Sequence, residues 1–151
     1  MLRNILLPTD GSSSAMVAAE TLADLISDPT QTRVTVAIAI EPLSAETTDY
    51  DEEIINRQNA KMRERAQAAV DATSRIFARK SIETVTKVVE GDPVSAALAD
   101  EAAAGQYDII AMGSRGLGMQ KNNQHYLGSV TEHVIRRVGI PVLVIPVHKE
   151  K

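Results

Sequence analysis

Hydrophobic and polar positions along the chain follow two rhythms. Short apolar runs close on turn residues, and longer stretches repeat apolar residues at helical spacing. Ile5-Leu6-Leu7-Pro8 runs into Thr9-Asp10-Gly11-Ser12 and predicts a first strand over residues 3–9, ending in a turn and helix start. Met16, Val17, Ala19, Leu22, Ala23, Leu25 and Ile26 keep helical spacing until Ser27-Asp28-Pro29 stops the pattern. Val34 to Ile40 is rich in β-branched residues and predicts a second strand. Beyond a polar segment, Ile54, Ile55, Met62, Ala66, Ala69, Val70, Thr73, Ile76 and Phe77 line one side of a long helix. Glu53 and Arg57 stand four apart on another side, and the charge run Lys61 to Arg65 reads as a solvated face.

The second half continues the alternation. Ile82 to Glu90 mixes apolar with charged and hydroxyl side chains, which suits a strand at the edge of a sheet. Gly91-Asp92-Pro93 turns the chain, with Pro93 expected in the first turn of a helix that Gly105 ends. Tyr107 to Met112 predicts a fourth strand, Gly128 opens a helix that finishes at Arg136, Arg137 and Gly139, and Pro141 to Val147 predicts a fifth strand. Five strands alternating with four helices predict a single-domain α/β fold, a Rossmann-like parallel sheet with helices on both faces. With strand order 3-2-1-4-5 the polar third strand falls on an edge, and strands one and four lie side by side where the winding reverses. Ligands of such sheets bind beyond the carboxyl ends of the strands at that point. Those ends are Pro8-Thr9-Asp10 and Met112-Gly113.

The stretch that follows strand four carries the most specific chemistry. Gly113-Ser114-Arg115-Gly116-Leu117-Gly118 leads through a polar segment to Gly128-Ser129-Val130 at a helix start. Glycines there free the backbone for positive φ and close approach, and the first amides of the helix form an anion site. Phosphate is the expected ligand. Met119 replaces the lysine of a Walker A loop, and the order G-x-x-G-x-G fails the dinucleotide fingerprint. Arg115 either serves a phosphate as a fork donor or is simply an exposed loop arginine. Asp10 either caps the first helix or serves the ligand.

These motifs resemble the universal stress protein family, whose nucleotide-binding members carry G-x-x-G, nine residues, then G-[ST]. The resemblance also takes in Ile5 to Ser12, Glu90-Gly91-Asp92-Pro93 and Gly139 to Ile145, so it spans nearly the whole chain, 1–151 as one domain. Here eleven residues, Leu117 to Leu127, separate Gly116 from Gly128. The added length is expected to bulge outward near Asn122-Asn123. The resemblance implies an adenine nucleotide alpha hydrolase-like fold and a site for ATP, ADP or AMP, with or without Mg²⁺. Pro8, Thr9 and Asp10 would flank adenosine, Ala39 would meet adenine through its backbone, and Met112 and Gly113 would border the ribose. Gly116, Gly128, Ser129 and Val130 would hold phosphates. It further implies a cytoplasmic stress-response module with a protein partner, and a homodimer through strand 142–147.

Composition narrows the alternatives. A chain of 151 residues with 44% hydrophobic content suits one core. A net charge of -4 with scattered basic residues, one Phe, three Tyr and no Trp speaks against nucleic acid. The absence of cysteine removes thiolate catalysis, thiolate metal sites and disulfides. Met1-Leu2-Arg3-Asn4 leads to an apolar run too short for a secretory signal, and no run approaches membrane-spanning length, so a cytoplasmic setting is expected. His125, His133 and His148 have no metal-ligand spacing. The competing readings are a nucleotide-dependent binding module, a slow Mg²⁺-dependent ATPase for which Asp10 is the one evident carboxylate, and a relative that acts through its surface without nucleotide.

Overall fold

The structure, a computed structural model, describes residues 2–114 and 127–147. Its order is β1 (Asn4–Pro8), α1 (Ser13–Leu25), a 3-10 turn (Pro29–Gln31), β2 (Arg33–Ile40), α2 (Glu52–Ala78), β3 (Glu83–Glu90), α3 (Val94–Ala104), β4 (Ile109–Gly113), α4 (Ser129–Arg137) and β5 (Val142–Ile145). The strands form one parallel sheet in the expected order β3-β2-β1-β4-β5, which puts the polar β3 on an edge.

Strand parity decides which helix covers which face. Ile5 and Leu7 of β1, with Val34, Val36, Ile38 and Ile40 of β2, pack against Ala19 and Leu22 of α1 and Val70 and Phe77 of α2. Leu6 and Ala37 point the other way, with Ile110 and Met112, and meet Leu98 of α3 and Val134 of α4. Right-handed crossovers produce this division, because the first two connections run one way across the sheet and the last two run back. The reversal lies between β1 and β4, which pair through Ile5↔Ile109 and Leu6↔Ile110. The largest buried side chains include Phe77, Leu6, Leu7 and Ile110, so the centre of the sheet is also the centre of the core.

Several boundaries differ from the sequence expectation for local reasons. Pro93 is the N-cap of α3 and not its first helical residue. β5 stops at Ile145, before Pro146, which has no amide to donate to a ladder. Ile54, expected in the buried stripe of α2, is 38% exposed, whereas Asn59 is buried within that stripe. The Glu53–Arg57 pair does form, at 3.4 Å on the exposed side.

Candidate functional site

At the carboxyl end of β1 the chain makes a tight turn whose groups satisfy one another. The Thr9 amide donates to the Ala37 carbonyl at 2.8 Å, extending the β1–β2 ladder past Pro8. The Gly11 amide donates to Thr9 Oγ1 at 3.2 Å, and the Ser12 amide donates to Asp10 Oδ1 at 2.9 Å. Ser12 is the N-cap of α1, its Oγ accepting from the Ala15 amide at 3.1 Å, so the capping role falls to Ser12 and not to Asp10. Gly11 has φ of +76°, and a Cβ there would stand 3.2 Å from Ala69 Cβ of α2. The left-handed backbone favours glycine there, and the close approach of α2 adds to that preference.

At the carboxyl end of β4 a second set of contacts fixes the start of α4. Gly113 pairs with Ile145 in the strand register and, contrary to the expected glycine turn, has no positive φ. Its carbonyl accepts from Thr131 Oγ1 at 3.0 Å, a buried hydroxyl one turn inside α4. Ser114 is a junction. Its amide donates to the Ile145 carbonyl at 2.9 Å, its carbonyl accepts from the Gly128 amide at 2.9 Å, and its Oγ accepts from the Val147 amide at 3.1 Å. Neither Ser114 nor Thr131 stood out in the sequence, because their partners are distant along the chain. The only signal was a hydroxyl directly after Gly113 and another three residues after Gly128.

Helix α4 begins without a side-chain cap, since Gly128 has none to give. Its own amide is already engaged by Ser114, so Gly128 contributes backbone shape, and the amides of Ser129, Val130 and Thr131 have no partner among the described residues. They carry the positive end of the helix dipole. Met112, Ala39 and Val130 pack into one cluster on the α3/α4 face, while Pro8, Thr9 and Asp10 end the neighbouring strand. The fold thus brings together nine of the expected site residues: Pro8, Thr9, Asp10, Ala39, Met112, Gly113, Gly128, Ser129 and Val130. Arg115 and Gly116 lie outside the described residues, as do Gly118, Asn122, Asn123, His125 and His148. Among the described residues no three His, Asp or Glu side chains gather as a metal ion would need.

The family model described as universal stress protein family matches residues 1–146. This chain belongs to the universal stress protein family. The universal stress protein Sll1654 of Synechocystis sp. is 32% identical to it over 150 residues, covering 97% of this chain and 87% of that one. Among solved structures, the protein MJ0577 superposes with a TM-score of 0.83 at 26% identity, covering 99% of both chains. A universal stress protein family member from Arabidopsis thaliana, solved with AMP bound, shares the fold with a TM-score of 0.64 at 17% identity, covering 97% of this chain and 92% of that one.

This universal stress protein also has a cleft on the α1/α2 face that its sequence did not announce. It measures about 450 Å³ and is lined by Asp10 and Gly11 of the first turn, Ile38 and Ile40 of β2, Leu43, and Lys61, Met62 and Arg65 of α2 among others. Leu43 is held in place by Asn59, whose Oδ1 accepts from the Leu43 amide at 2.8 Å and whose Nδ2 donates to its carbonyl at 2.9 Å. No helix of the described residues is long and apolar enough to cross a membrane.

Proposed function

We propose that this universal stress protein, acting as one domain over residues 1–151, binds an adenine nucleotide across the carboxyl ends of β1 and β4. ATP, ADP or AMP is the ligand, with Mg²⁺ accompanying the polyphosphates, and occupancy governs contact with a protein partner in the cytoplasm. The observation that carries the reading is the start of α4, uncapped and fixed beside the end of β4 by Thr131 and Ser114. Such a start offers two or more backbone donors and a positive dipole end to a phosphate without any lysine. The AMP held by the Arabidopsis relative supports the choice of adenine nucleotide. Asp10 faces the ribose hydroxyls in this reading, Ala39 meets the base through its backbone, and Arg115 and Gly116 complete the phosphate loop.

Ser129→Asp tests it. The substitution places a carboxylate where the phosphate would sit, yet an acidic residue in a first helical turn favours the helix, so folding is retained. Titration calorimetry with AMP should show binding to the parent and at least a tenfold loss in the variant, the equivalent of losing one charge-assisted contact. Equal affinity in both proteins would move the phosphate away from α4.

A further inference from the structure

We propose that the cleft on the α1/α2 face is a second ligand site, one that takes a small amphipathic anion with an apolar body and a carboxylate or phosphate head. It lies on the opposite face of the sheet from the start of α4 and shares Asp10 of the first turn with the nucleotide crevice. Ile38 and Ile40, which line the cleft, project to the α1/α2 face, whereas Ala39 packs on the α3/α4 face.

The lining divides by chemistry. Ile38, Ile40, Met62, Ala66 and Ala69 supply an apolar floor, and the two alanines leave on α2 the room that larger residues would fill. Lys61 and Arg65 stand above it on α2, four residues apart and exposed. Two other basic residues of that helix have acidic partners, Arg57 with Glu53 at 3.4 Å and Arg63 with Glu90 at 2.6 Å. Among the described residues Lys61 and Arg65 make no ion pair. Like charges at this spacing repel one another on a helix, and an anion between them relieves that repulsion. A guanidinium beside an ammonium favours a carboxylate or phosphate, the first binding as a fork and the second as a point charge.

The remaining walls set size. Asn59, itself buried, pins both backbone groups of Leu43, so this wall does not depend on the ligand for its position. Asp10 brings a carboxylate to the β1 side, where it accepts from the Ser12 amide. A volume of about 450 Å³ is within the range of small-molecule sites, and the apolar floor with a few polar groups is their usual composition.

Decanoate and decyl phosphate, each below its micellar concentration, are suitable probes, with decanol as the uncharged control. Calorimetry on the full chain should find one site for at least one of the two anions and binding at least tenfold weaker for decanol. Binding by decanoate alone assigns a carboxylate head, by decyl phosphate alone a phosphate head, and by both a head read through charge. Lys61→Gln combined with Arg65→Gln should weaken the anion at least tenfold and leave AMP titrations unchanged. Methyl resonances of Ile40 and Met62 should shift in the parent on adding the anion, a readout independent of any variant. The proposal is overturned if neither anion binds, if the double variant binds equally well, or if those methyls do not move.

Discussion

Thr131 shows how one side chain positions the open end of a helix. Its hydroxyl is buried and donates to the Gly113 carbonyl at 3.0 Å, joining α4 to the last residue of β4. Thr131→Val keeps the shape but leaves that carbonyl without its donor, which costs roughly 1–3 kcal/mol. The urea midpoint should fall accordingly, and AMP affinity should fall with it, since the amides of Ser129 and Val130 lose their anchor. Asp108 does a related task at the opposite end of the sheet. Its Oδ2 accepts from the amides of Arg3 and Asn4, both at 2.8 Å, and these donors hold the carboxyl below its ordinary value. A depressed folded-state value contributes stability above the ordinary carboxylate range and loses it as pH falls through the depressed one. Asp108→Ala should therefore be less stable than the parent at pH 7, with the gap closing as urea midpoints are followed down through the acid range. Pro8, Thr9, Asp10 and Gly113 were legible in the sequence because strand ends write themselves locally. Thr131 and Asp108 were not, because a hydroxyl or carboxylate does not declare a partner that is distant along the chain.

The elements were easier to see than their partnerships. Apolar runs bounded by turn residues marked the strands, and the mixed polarity of β3 placed it at the edge where it lies, paired only with β2. The long helix α2 was legible as a helix and misleading in detail. A single periodicity does not show that Ile54 faces solvent, that Asn59 turns inward to clamp a loop, or that Lys61 and Arg65 border a cleft while Arg63 between them pairs with Glu90. β5 presents the opposite situation. It pairs with β4 on one side only, and Val142, Leu143 and Val144 remain partly exposed without a charge among them. An apolar edge of this kind invites a second strand, the expected partner being the same edge of another copy. Val144→Lys should shift the protein from dimer to monomer in sedimentation equilibrium, and a dimer that persists would place the interface elsewhere.

For the whole molecule, a ligand bound only by the folded crevice stabilises the fold by mass action. Adenine nucleotide at 100 times its dissociation constant contributes about 2.7 kcal/mol. For a domain of this size that raises the melting temperature by roughly 2–8 °C, which scanning calorimetry should detect. An equal rise with GTP would speak against recognition of adenine through Ala39. The fold as a whole was legible because its parallel strands and covering helices leave few topologies, whereas the cleft beneath α2 required the packing of three distant segments. The bond between the Ser114 carbonyl and the Gly128 amide has a longer reach in time. The chain departs from and returns to the same point of the scaffold, so the number of residues between is uncoupled from the positions of β4 and α4. Closing a longer excursion adds little free energy, since that term grows only with the logarithm of length. Insertions and deletions between 115 and 127 should therefore be nearly neutral for folding, and a lineage can remodel that stretch while inheriting the rest of the protein intact.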